Sequence, residues 1–266
     1  MRILHALPKT SCLYANSGNN GEGIDLVFAG TANTENEEVT LTLESGVNFG
    51  GWNLVGNPFA ETAYIADGRD FYVMNADGSD IEPAERDSIA PMEGVFVIAE
   101  ADGETMTFTT EAPNNNGKGL VLNLSHGNGV IDRAIIRFGE GSQLPKLQLW
   151  KNSTKVYIPQ NGKDYAVVNV GKDVARYVST IPVYFKAGEN GTYTLSFNAE
   201  EVSFSYLHLI DNLTGEDVDL LAGVSTLRVA SGTTSSATYT FEAKTTDPES
   251  RFKLVFIAST SVDGND

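Results

Sequence analysis

The sequence predicts an all-β protein built as two tandem antiparallel β-sandwich-like domains, of jelly-roll or Ig-like type. Three observations predict it. Apolar and polar residues alternate over one short window after another, which puts the apolar set on one face because successive strand residues point to opposite sides. Turn formers separate these windows, with Asn-Gly and Asp-Gly pairs suited to the positive φ of tight hairpins. No extended run carries the apolar spacing of an amphipathic helix, and 266 residues with 41% hydrophobic content suit two domains of ordinary size.

In chain order, residues 1–23 read as a flexible segment ending in the polar stretch 16–23 (NSGNNGEG). A first domain is predicted over residues 24–112, with alternating strands at 39–44 (VTLTLE) and 105–109 (TMTFT). Residues 113–119 (PNNNGKG) are polar and aperiodic, as expected of a linker. A second domain is predicted over residues 120–260. Its clearest strands are 146–150 (KLQLW), 192–197 (TYTLSF), 238–242 (TYTFE) and 251–256 (RFKLVF), and residues 261–266 read as a C-terminal linker. Turns are placed at Asp67-Gly68, Asp102-Gly103, Asn128-Gly129, Asn161-Gly162, Asn190-Gly191 and Thr214-Gly215, so consecutive strands are expected to pair as hairpins.

The formal charge of −17 is unevenly spread. Through Ala112 there are 19 acidic and 4 basic side chains, against 16 and 14 in the remainder. An acidic first domain repels phosphate backbones and anionic lipid, which argues against nucleic-acid partners. No stretch approaches the roughly 20 apolar residues of a spanning helix, so membrane insertion is not expected. Cys12, the single cysteine, cannot form an internal disulfide. The opening residues MRILHALP are interrupted by His5 and Pro8 and do not read as a signal peptide.

Residues 51–59 (GWNLVGNPF), 71–78 (FYVMNADG) and 89–97 (IAPMEGVFV) together resemble a module found near the C-termini of large surface or secreted proteins of Bacteroidetes-type bacteria. Residues 207–215 (LHLIDNLTG), with 239–243 and 251–256, resemble the sandwich domain that commonly follows it. The resemblance implies an extracytoplasmic location and a chain that is a fragment or a short stand-alone member of such a protein. The same blocks have a local account. Trp52 and Leu54 share a strand face, with Trp52 expected in the core, and Gly56-Asn57-Pro58 ends the strand in a turn. Asp211 and Asn212 are expected to cap the backbone of their own hairpin loop.

Chemistry is sparse. His5, His126 and His208 are far apart, His208 alternating outward between Leu207 and Leu209, and no zinc, phosphate-loop or serine-elbow motif occurs. With 35 acidic residues, some carboxylate pair will lie at glycosidase spacing by accident, so such a pair is read as solvated charge. Asn75, Asp77 and Asp80 alternate oxygen ligands around Gly78 and form the candidate metal site, with calcium the ion considered, although the same residues make an ordinary hairpin turn. Trp150 and Tyr157 flank a polar hairpin and form the candidate ligand-binding platform for a sugar ring, although the same alternation fits a strand edge with aromatic rings in the core. The functional expectation is therefore a non-enzymatic extracytoplasmic surface-protein region acting as an adhesion, binding or spacer module, with glycan or protein at the cell surface as partner. The alternative is a carbohydrate-binding or carbohydrate-active accessory domain.

Overall fold

The computed structural model describes residues 33–74, 81–113, 119–139, 141–149, 152–171, 177–200, 202–222 and 237–260. The fold is all-β, with eighteen strands among these residues. The chain divides into two compact units, Met1–Asn114 and Asn115–Asp266. Among the described residues no helix is long and apolar enough to cross a membrane.

Unit 1 contains β1 (Glu37–Thr40), β2 (Trp52–Gly56), β3 (Tyr64–Ile65), β4 (Tyr72–Met74), β5 (Ile81–Pro83), β6 (Gly94–Ile98) and β7 (Thr105–Thr109). They form a three-stranded sheet, β1-β7-β3, and a four-stranded sheet, β2-β6-β4-β5. The TMTFT run is β7, and its period of two sends Met106 and Phe108 inward beside Val39 and Ile65. Val55, Val73, Val95 and Val97 of the larger sheet complete the same core. Burying each such side chain contributes roughly 1.5–3 kcal/mol.

Trp52 departs from expectation. The core face of β2 carries Val55, so Trp52 and Leu54 share the opposite, half-buried face, where the Trp52 ring meets Tyr72 edge-on at 5.4 Å. The Gly-Asn-Pro turn does end β2, and Asn57 explains why an asparagine stands there. Its Nδ2 donates to the carbonyls of Glu61, Ile89 and Ala90 at 2.9–3.0 Å while its Oδ1 accepts from the Phe59 N–H, so one amide ties three backbone segments together.

Unit 2 contains β8 (Gly119–His126), β9 (Gly129–Arg137), β10 (Leu144–Pro145), β11 (Lys155–Gln160), β12 (Lys163–Asn169), β13 (Ser179–Lys186), β14 (Gly191–Glu200), β15 (Val202–Asp211), β16 (Glu216–Asp219), β17 (Ala237–Ala243) and β18 (Phe252–Thr260). They form one sheet in the order β16-β15-β18-β13-β11-β12-β9-β8-β14-β17, with β10 paired to β12 off that path. β11 is the corner. Its first half pairs with β13 and its second half with β12, while β10 pairs along the other side of β12, Tyr165 standing between Ile158 and Pro145. The sheet thus curls around a single core of Leu122, Ile158, Phe185, Leu195, Leu209, Phe256 and their neighbours. Its two ends approach: the Tyr239 hydroxyl on β17 donates to Glu216 on β16 at 3.0 Å, leaving a nearly closed, barrel-like sheet.

The hairpin expectation holds locally and fails globally. β11–β12 turns through Asn161-Gly162, both at positive φ (51° and 77°) as a type I′ bend requires. The β8–β9 turn falls one residue earlier than expected: His126 pairs with Gly129, so Gly127, at φ 64°, and Asn128 make the bend. Elsewhere distant strands pair, β8 with β14 and β13 with β18, and β9 with β12 in parallel. The predicted strand at 146–150 does not form over its described residues. Lys146 instead turns in, its Nζ 2.6 Å from Asp132 Oδ1 and 3.1 Å from the Arg133 carbonyl, and Leu149 is left exposed.

Candidate functional site

The predicted metal residues Asn75, Asp77 and Asp80, together with Trp150, Cys12 and His5, lie outside the described residues. Among the described residues no group of three or more His, Cys, Asp or Glu side chains is placed to hold a metal ion. Tyr157 is described, and its position corrects the platform reading. It points away from the core of β11 yet is only 4% exposed, opposite Tyr184 in register and edge-on to it at 5.6 Å. Lys155 Nζ sits 4.1 Å from the ring centroid and 3.0 Å from Asp164, and the Tyr157 hydroxyl donates to Glu249. A ring covered in this way has no open face for a sugar. Burial, then the bond to Glu249 and the nearby carboxylates, push the phenol well above its ordinary range, so Tyr157 is a neutral donor and a poor nucleophile.

A second polar cluster lies inside the β15–β16 hairpin. Asp211, fully buried, accepts from Arg251 Nε and Nη2 at 3.1 and 2.8 Å and from the backbone N–H of Leu213 at 2.9 Å. Tyr239 donates to the same carboxylate at 3.1 Å. Arg251, 2% exposed, also donates to the Glu242 carbonyl at 2.8 Å and lies over the rings of Phe241 and Phe252 at 4.5 and 5.1 Å. Burial raises the Asp211 carboxyl, but the Arg251 bond, the Leu213 N–H and the Arg251 charge outweigh it and hold the group below its usual value. Asp211 caps its loop as the sequence predicted; its deeper task is to neutralise a buried guanidinium.

On the outer surface of the same hairpin the arrangement is different. The β15–β18 register slips between Phe204 and Tyr206, so Ser205 is an extra residue and both Ser205 and Tyr206 face solvent. Bulges of this kind re-aim side chains and are enriched beside functional sites. Here the bulge brings Tyr206, 37% exposed, into parallel stacking with His208, ring centroids 4.2 Å apart and planes at 11°. His208 Nδ1 lies 2.7 Å from Asp217 Oδ1 on β16, and its Nε2 lies 3.8 Å from Asp219 Oδ1. Asp219 Oδ1 also accepts from the Leu221 N–H at 2.9 Å.

The four side chains therefore stand on one rigid sheet face, oriented before any ligand arrives. The sequence places His208 outward, as found, but it does not single out Tyr206. A signal existed: the apolar spacing is two at Val202 and Phe204, three from Phe204 to Leu207, then two again to Leu209, which is the signature of one inserted residue. Phe49 and Met92 of unit 1 carry left-handed backbone at φ 63° and 67°, but they flank opposite ends of the β2–β6 pair. The Tyr206–His208–Asp217–Asp219 face is thus the candidate site. Neither a known protein family, a curated protein nor a solved structure matches this chain.

Proposed function

We propose that this chain is a non-catalytic, extracytoplasmic region of a bacterial surface or secreted protein, made of two sandwich-like domains, and that it acts as an adhesion or binding module through the Tyr206 face. Three lines support the reading. The two sheets of unit 1 share one core, and the curled sheet of unit 2 encloses another. Six short blocks between residues 51 and 256, three in each half of the chain, resemble C-terminal modules of surface proteins. The observation that carries the proposal is the contrast in polar clusters: those at Tyr157 and Asp211 are buried and mutually satisfied, whereas the stacked Tyr206–His208 pair is fixed in place and open to solvent. Order without burial is what a contact surface needs, because a preorganised ring loses little freedom on binding.

The test is retention of the labelled full chain on polysaccharide-coated and glycoprotein-coated surfaces, compared with Tyr206→Ala. Retention of the native chain and its loss in the variant, with an unchanged unfolding midpoint, is expected. Equal retention of both, or turnover of a polysaccharide or peptide by the full chain, would overturn the proposal.

A further inference from the structure

Resting on the binding-module reading, we infer that the ligand of this face is a saccharide unit presenting hydroxyl or amino groups and no acidic group, stacked on Tyr206 and hydrogen-bonded by His208 and Asp219. The argument starts with the ring. His208 stacks on one side of Tyr206, the residue is 37% exposed, and its hydroxyl has no hydrogen-bond partner among the described residues. An upright aromatic ring with a polar rim matches the apolar face and hydroxyl edge of a pyranose, because the ring offers flat contact area and the phenol a hydrogen bond.

The imidazole supplies the next contact. Asp217 engages Nδ1 at 2.7 Å, which places the proton there and fixes the ring. Nε2 lies 3.8 Å from Asp219 Oδ1, a separation too long for a direct bond. A hydroxyl oxygen about 2.8 Å from each atom fits that gap, donating to one and, when the imidazole is protonated, accepting from the other. A stacked ring beside a gap of one hydroxyl is a sugar-sized constellation, far smaller than the roughly 800 Å² per partner of a standard protein interface.

Charge narrows the class. Asp217 and Asp219 are acceptor-only groups, each more than two-fifths exposed, and their remaining oxygens ask for donors. Neutral hydroxyls and ammonium groups supply them. Carboxylates and sulfates would be set against two like charges, so uronic, sialic and sulfated units are disfavoured.

The experiment is calorimetry and array binding of the full chain against neutral, amino and acidic oligosaccharides, with Tyr206→Ala, His208→Ala and Asp219→Asn in parallel. Binding to neutral or amino members is expected, at least tenfold weaker in Tyr206→Ala and several-fold weaker in the other two, with unfolding midpoints near that of the native chain. Preference for acidic members, or neutral binding that Tyr206→Ala leaves intact, would overturn the inference. If no saccharide binds but the native chain still adheres to an enzymatically deglycosylated protein surface through Tyr206, the saccharide inference fails and the binding-module reading stands. If Tyr206→Ala changes neither measurement, both fail.

Discussion

Asp211 and Asp217 belong to one hairpin, and burial alone separates what they do. Asp211 is sealed in the core against Arg251, with its oxygens taken by a guanidinium, a phenol and backbone N–H groups. Asp217 has a side chain 57% exposed and holds an imidazole that is itself in contact with solvent. Removing a partner inside leaves an uncompensated charge in a medium that cannot solvate it; removing one outside hands the charge to water. The same carboxylate–cation chemistry is therefore structural where water is excluded and available where it is not.

Arg251→Ala is the largest expected break in that comparison. It strands Asp211 and removes the stack on Phe241 and Phe252, and should destabilise unit 2 by about 3–5 kcal/mol, read from denaturant midpoints. The pH dependence should also change sign. In the native chain the Asp211 carboxyl is held below its ordinary value, so its stabilisation is complete above about pH 4 and is lost as pH falls through the folded value. Without Arg251 the buried carboxyl is raised by desolvation instead, and its contribution is favourable at low pH and lost toward neutrality. Midpoints measured from pH 7 to pH 4 should therefore fall less in the variant than in the native chain, or rise. A parallel decline in both would contradict the assignment.

Tyr239→Phe is expected to be milder. It removes the donor that serves Asp211 and Glu216 while keeping the ring stacked on Phe241, and should cost about 1.5–3 kcal/mol. Burial, then the Glu216 bond and the Asp211 charge, push the Tyr239 phenol up to about 12. A raised phenol contributes stability that is complete below the unfolded value near pH 10 and is lost as pH climbs through the folded one. Spectrophotometric titration should show this hydroxyl ionising late, and the variant should have a shallower alkaline loss of stability. Because the same hydroxyl links β17 to β16, hydrogen exchange at β16 should rise as well.

What was legible in the sequence follows the same division between local and distant causes. TMTFT became β7, and TYTLSF and TYTFE fell within β14 and β17, because period-two burial is written residue by residue. The pairing of those two strands with each other, and of β8 with β14, depends on core packing between segments far apart in the chain, which no local window carries. Lys146-Leu-Gln-Leu149 alternates well and still forms no strand, since the pull of Asp132 on Lys146 is a contact invisible to periodicity. The face shared by Trp52 and Leu54 predicts a core position for Trp52, but the core side of β2 is the one carrying Val55, and a two-sided sheet has large residues on both faces. For Tyr157 the sequence leaves a sugar platform and a buried ring both open, and the bond that decides between them comes from Glu249, 92 residues away. Among the candidate-site residues, only the outward direction of His208 was read correctly in advance.

His208 and Asp217 form an exposed pair, and a double-mutant cycle of His208→Ala and Asp217→Ala should return a coupling of only about 0.2–1 kcal/mol, reduced further by added salt. The corresponding cycle at Arg251 and Asp211 should return a larger coupling that salt barely moves, since no counter-ion reaches a pair with side chains 2% and 0% exposed. If the outer pair proved as strongly coupled and as salt-insensitive as the inner one, the Tyr206 face would belong to the folding core of the hairpin and its openness to a ligand would lose its basis. A weak, screened coupling would mean that His208 is held for orientation with little stake in stability, and substitutions there can then be read as effects on recognition.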